Sequence, residues 1–196
     1  MKARKAFMHK INYKKKNKVL NDYAKLLAKE KKLIIYQNSK DIKFAKKMGL
    51  NQNLIDRLKL NQKKIDNIKN SIIKIAKLKD PVNTILNKWK RSNGLSISKV
   101  SIPIGVVGVI YESRPNVTSD VASLCFKSGN AVILKGGSEA INTNKVLAKL
   151  FRKSLKKNKL DENFVQFIDS KQRKLVDFML SKMKIYIDVI IPRGGK

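Results

Sequence analysis

The sequence predicts an α/β protein: N-terminal helices, then a β-hairpin, then an incomplete doubly wound parallel sheet. Three observations carry that expectation. Apolar residues recur at helical spacing over residues 1–80. Two alternating apolar–polar runs then flank Ser92-Asn93-Gly94. After Pro103, short apolar strands alternate with helix-length segments, the pattern of βαβ crossovers.

In chain order, Leu20, Tyr23, Ala24 and Leu27 follow the i, i+3, i+4, i+7 rule with lysines opposite. A second helix spans about Glu30 to Met48 and stops at Gly49, which suits a left-handed C′ position. Asn61 caps a third, whose stripe is Ile65, Ile68, Ile72, Ile75 and Ala76 and which ends at Asp80-Pro81. Residues 84–91 and 95–102 read as a hairpin whose Asn-Gly pair calls for a type I′ turn, with Trp89 packed on the ribbon. Gly105 to Tyr111 is a continuous apolar strand suited to burial on both faces. Asn116 to Ser128 is a helix with Val121, Leu124 and Cys125 inward and Gly129 as its stop. There follow a strand at residues 131–134, a helix over about Ala140 to Lys157 facing inward through Val146, Leu147 and Leu150, and a strand from Phe164 to Ile168. A helix from Arg173 to Met183 and a strand from Ile185 to Ile191 complete the series. The expected division is residues 1–82 helical, 83–102 hairpin and 103–196 incomplete Rossmann-like domain.

Composition narrows the function classes. The 196 residues hold 45 Lys+Arg against 14 Asp+Glu, a net charge of +31, with 38 lysines and only seven arginines. Such a surplus attracts polyanions without a specific site, and a basic nucleic-acid-binding module is one reading. Arginine is, however, the better residue for bidentate phosphate or guanine contacts. Residues 98–150 carry six basic and three acidic side chains, so the excess lies outside the motif-bearing part and reads as solvated faces. One cysteine and one histidine, Cys125 and His9, exclude a disulfide framework and leave little for a metal site, so none is expected. No apolar run is long enough to span a membrane and the basic N-terminus lacks a secretory core, so a cytoplasmic protein is expected.

Ligands of open α/β sheets bind beyond the carboxyl ends of the strands. Three segments fall there: Tyr111-Glu112-Ser113-Arg114-Pro115-Asn116, Lys135-Gly136-Gly137-Ser138-Glu139 and Pro192-Arg193-Gly194-Gly195. Glycine pairs let backbone N–H groups approach a phosphate, or serve as ordinary βα turns. No G-x-G-x-x-G or Walker pattern accompanies them. Asn116 either caps its helix or points its amide into the cleft. Cys125 falls mid-helix and reads as a buried structural thiol.

Three stretches closely resemble the gamma-glutamyl phosphate reductases of the aldehyde dehydrogenase superfamily. They are Ile102 to Asp120, with Tyr-Glu-Ser-Arg-Pro-Asn-Val-Thr at its centre, Lys127 to Ala140, and Ile191-Pro-Arg-Gly-Gly-Lys196. The resemblance implies an aldehyde dehydrogenase-like fold and NADPH-dependent reduction of gamma-glutamyl phosphate to glutamate 5-semialdehyde and phosphate, in proline biosynthesis. It implies an NADP(H) site including Tyr111, Glu112, Lys135, Gly136, Gly137, Ser138, Glu139, Arg193, Gly194 and Gly195. Within that site Lys135 and Glu139 would meet the adenosine ribose, and Gly194-Gly195 the pyrophosphate. Asn116 would be the oxyanion-hole amide, and the hairpin a homo-oligomerisation element. The family's catalytic cysteine belongs to a segment that would follow Lys196, and Cys125 does not replace it. The chain is therefore expected to be a truncated or split reductase, inactive alone, or a non-catalytic subunit.

Overall fold

The computed structural model describes residues 1–112 and 114–193. Five helices come first: α1 (Lys2–Phe7), α2 (Tyr13–Lys29), α3 (Lys31–Lys47), α4 (Gln52–Leu58) and α5 (Gln62–Lys77). Asparagines start three of them. Asn12, Asn51 and Asn61 each accept a hydrogen bond from the backbone N–H three residues on, satisfying a donor the helix leaves open. The α2 and α5 stripes are buried as their spacing requires, and Gly49 takes φ +69° where α3 stops. Helix α4 had no counterpart in the periodicity; at seven residues it is too short to display one.

Strands β1 (Ile85–Lys90) and β2 (Ser96–Val100) pair antiparallel as an isolated ribbon. Its turn differs from the expected type I′. Gly94 has positive φ and Asn93 does not, while Gly94 N–H donates to Arg91 O and Arg91 N–H to Leu95 O. This is the three-residue loop in which a type I turn is followed by a left-handed glycine in a bulge. The ribbon is not hydrogen-bonded into the main sheet, and Ile85, Leu86, Trp89 and Leu95 on it are exposed.

The main sheet holds β3 (Val106–Tyr111), β4 (Ala131–Lys135), β5 (Val165–Phe167) and β6 (Val189–Arg193), all parallel, in the order β5-β4-β3-β6. Helices α6 (Asn116–Lys127), α7 (Ile141–Lys157) and α8 (Lys174–Lys182) connect them, with a short 3₁₀ turn at Ser138–Ala140 before α7. The α/β class is as expected. Helices α6 and α7 pack against α2, and α6 also against α5, so α6 is sandwiched between the sheet and a helical layer.

That sandwich corrects the expected face of α6. Leu124 is 49% exposed and Val121 and Cys125 are half-buried, whereas Val117, Ala122 and Phe126 are buried. The signal was hidden because α6 also buries Thr118, Ser119 and Ser123. Small hydroxyls can be buried where they find partners, as Ser119 does 2.6 Å from the Tyr23 hydroxyl. The last strand also begins later than expected. Tyr186 and Ile187 N–H both bond back to Met183 O, closing a turn that leaves β6 to start at Val189.

Candidate active site

The strand order reverses at β3. Strands β3, β4 and β5 progress one way, then β6 returns to the free side of β3, so Tyr111 and Arg193 pair at the switch point. Tyr111 turns inward, its hydroxyl 2.7 Å from Thr118 Oγ1, which in turn donates to Asn144 Oδ1 at 2.9 Å. Burial pushes the Tyr111 phenol well above its usual range, so it serves as a neutral hydrogen-bonding group. Asn144 Nδ2 is enclosed and has no hydrogen-bond partner among the described residues. It overhangs Gly136, where any Cβ would collide with it and come within 3.2 Å of the Tyr111 ring. Close approach, rather than positive φ, is what demands this glycine.

Beside this network lie Lys135, Gly136, Gly137, Ser138 and Glu139. Lys135 is only 5% exposed, and its ammonium donates to Gly136 O at 3.0 Å. Burial lowers its pKa, and the Glu139 carboxylate opposes that shift. Glu139 folds over Gly137, where a Cβ would strike the carboxylate. The turn is held from behind by α3. Asp41 accepts hydrogen bonds from both the backbone and side chains of Asn142 and Thr143 at the start of α7.

A third group gathers at the first turns of α6. Pro115 occupies the N-cap position and Asn116 is the first helical residue, so Asn116 does not cap the helix. Its amide donates to Asp120 Oδ2 at 3.0 Å. Both line a cavity of about 410 Å³ between α6 and the α4–α5 hairpin, together with Arg57, Lys64, Ser71 and Arg114. Burial pushes the Asp120 carboxyl above its ordinary range, with Asn116, Ser71 and Arg193 pulling the other way. Of these cavity-lining residues Arg114 falls within the strand-end segment read from the sequence, whereas Arg57 and Asp120 were not singled out. The one available signal was the i, i+4 spacing of Asn116 and Asp120 on a strand-end helix. Glu112 follows β3 at the surface, and Arg193 ends β6, also exposed. Gly194 and Gly195 lie outside the described residues.

No protein-family model matches the chain. Curated relatives do: it is 45% identical to gamma-glutamyl phosphate reductase of Desulfatibacillum aliphaticivorans over 92% of this chain and 43% of that one. With the Clostridium tetani enzyme of the same name it shares 45% identity over 100% of its own length and 46% of the relative. The crystal structure of the Thermotoga maritima reductase superposes with a TM-score of 0.93 at 39% identity, covering 99% of this chain and 47% of the other. The chain is homologous to the N-terminal half of gamma-glutamyl phosphate reductase. It spans less than half the length of the curated reductases it matches. A probable aldehyde dehydrogenase of Listeria monocytogenes, at 14% identity and TM-score 0.71, shares the fold. The aldehyde dehydrogenase-like architecture expected from the sequence is thus the one observed. Among the described residues no helix is long and apolar enough to cross a membrane, and no cluster of potential metal ligands occurs.

Proposed function

We propose that these residues form the NADP-binding portion of a gamma-glutamyl phosphate reductase, which reduces gamma-glutamyl phosphate to glutamate 5-semialdehyde and phosphate in the cytoplasm. The observation that carries this reading is Lys135, buried beside Glu139 at the carboxyl end of β4, in a chain 45% identical to such reductases. The donor set fits the adenosine end of the dinucleotide. A carboxylate can accept from the ribose 3′-hydroxyl that remains beside a 2′-phosphate, and the ammonium next to it favours that phosphate. Gly136 and Gly137, stripped of Cβ atoms where Asn144 and Glu139 crowd in, keep the turn's backbone accessible. Tyr111, Glu112, Ser138 and Arg193, with Gly194 and Gly195, would complete the wall. The bound cofactor supplies a hydride.

The chain's own contribution to the chemistry would be the Asn116 amide, poised to donate to an acyl oxygen as negative charge develops. Cys125 is not the nucleophile, because burial pushes its thiol up to about 12 and it rides on α6 rather than in the cleft. These 196 residues alone would bind without reducing. Exposed Leu86, Trp89 and Leu95 support the ribbon as a contact between copies of the reductase.

Titration of 2′,5′-ADP and 5′-AMP into wild type and Lys135→Ala, with circular dichroism confirming the fold, tests the cofactor reading. A charge beside a phosphate in a partly desolvated cleft is worth on the order of 1–3 kcal/mol, a tenfold to hundredfold preference for the 2′-phosphate. Lys135→Ala should abolish it. Equal affinities in wild type would sink the assignment.

A further inference from the structure

The cavity beside α6 is chemically unlike the β4 turn. Three cations from three elements reach it: Arg57 from α4, Lys64 from α5 and Arg114 from the β3–α6 connection. Lys64 is already committed, since its ammonium donates to Asp56 O and Lys59 O and so closes the carboxyl end of α4. Neither guanidinium of Arg57 and Arg114 makes a hydrogen bond or ion pair among the described residues. The lining has a single carboxylate, that of Asp120. Its Oδ2 receives the Asn116 amide, while Oδ1 is enclosed without a hydrogen-bond partner. An enclosed carboxylate oxygen without a partner is costly, and a cation placed against it removes the cost.

We infer that this cavity seats the α-amino-acid head of the substrate, Asp120 taking the ammonium and Arg57 and Arg114 the α-carboxylate. Opposite charges on adjacent walls match a zwitterion, whereas a purely anionic ligand would set a second negative charge against Asp120. The volume falls in the range of small-molecule sites, roughly 300–1,000 Å³. Asn116 joins the two ends. It holds Asp120 through its amide and lines the same cavity, so the head group and the acyl carbon would be registered by adjacent atoms. The inference rests on the proposed reductase reading for the identity of the acyl end. Discrimination should follow, because an analogue lacking the ammonium leaves the enclosed Asp120 oxygen unpaired and one lacking the α-carboxylate forfeits its charge-assisted bonds to the two exposed arginines.

The test uses the 196-residue protein with L-glutamate, glutarate (no ammonium) and 4-aminobutyrate (no α-carboxylate) as probes, binding being followed by NMR shift titration. Glutamate should bind at least about tenfold more tightly than either analogue. Asp120→Asn should erase the preference over glutarate and keep that over 4-aminobutyrate. The double variant Arg57→Gln/Arg114→Gln should do the reverse. Circular dichroism checks each variant, and should Asp120→Asn fail to fold, the exposed arginine pair still decides. No saturable glutamate binding, glutarate binding as well as glutamate, or a preference untouched by the variants would overturn the inference. A parallel 2′,5′-ADP titration separates the two readings. Loss of nucleotide binding with glutamate selectivity intact overturns the cofactor assignment alone.

Discussion

Helix α7 begins without a cap of its own, because Ala140 stands at its N-cap position. The missing acceptor comes from Asp41 on α3, 1% exposed. Its Oδ1 accepts from Asn142 N at 3.1 Å and Asn142 Nδ2 at 2.8 Å, and its Oδ2 from Thr143 N at 2.8 Å and Thr143 Oγ1 at 2.6 Å. A carboxylate at a helix N-terminus also meets the positive end of the helix dipole. Asp41→Ala removes all four bonds and strands two backbone donors, that of Thr143 buried and that of Asn142 half-buried. Single bonds to a charged acceptor contribute about 1.5–3 kcal/mol, and the four share one carboxylate, so the loss should be about 3–5 kcal/mol. Asp41→Asn keeps the shape but turns an amide N–H toward donors, and should cost about 2 kcal/mol. Against the roughly 5–15 kcal/mol stability of an ordinary domain, the alanine variant would be severely weakened. Urea unfolding followed by circular dichroism measures the difference, with amide exchange at Asn142 and Thr143 localising it. A loss below about 1 kcal/mol for Asp41→Ala would refute the reasoning.

Two further outcomes follow from single residues. At about pH 8 an unperturbed thiol is about a quarter ionised, whereas Cys125, pushed up to about 12, is ionised to about one part in ten thousand. Iodoacetamide should therefore alkylate it about a thousandfold more slowly than free cysteine, and prompt stoichiometric labelling of the folded protein would contradict the upward push on this thiol. Asp188 is held below its ordinary range first by the Arg4 guanidinium, which donates to it at 2.8 and 3.0 Å, and also by Val106 N–H. A depressed carboxylate stabilises above its unfolded pKa near 3.9 and loses that contribution as pH falls through the folded value. With both partners about one-third exposed, the effect is about 1 kcal/mol at most. Unfolding free energies of wild type and Asp188→Asn should converge as pH drops from about 6 toward 3, and a constant gap would argue against the pair.

What the sequence disclosed follows from locality. Helix stripes, the glycine stops at Gly49 and Gly129, and the alternation of strands with helices each depend on a dozen neighbouring residues, and the fold honours them. The misses depend on tertiary surroundings. An Asn-Gly pair predicts a hairpin correctly, yet Arg91 accepting from Gly94 shifts the loop to three residues. Leu124 looked interior because apolarity was the only guide, while the hydroxyls of Ser119 and Thr118 were buried through partners contributed by Tyr23, Tyr111 and Asn144. The candidate cofactor residues Lys135 to Glu139 could be proposed from sequence because the β4 turn carries them consecutively. The cavity beside α6 could not, since Arg57 and Asp120 line it together only once α4 and α6 are docked.

Charge illustrates the same limit and bears on Lys135. Composition treats the lysines as one solvated population, yet Lys16, Lys127 and Lys135 are buried. Two of these are saturated. Lys16 Nζ donates to both Asp80 oxygens at 3.0 Å and to Lys127 O, while Lys127 Nζ reaches Asn17 and Ala76 O and lies 4.2 Å from the Tyr13 ring centroid. Such a lysine is a staple between α2, α5 and α6, its desolvation offset by protein partners. Lys135 is buried to the same degree but donates to the carbonyl of the next residue, with the Glu139 carboxylate nearby. A buried ammonium so sparsely bonded, at the carboxyl end of a central strand, is the feature on which the proposed anionic ligand rests. That difference in saturation, invisible in a count of lysines, separates a candidate ligand-binding lysine from two that hold the fold.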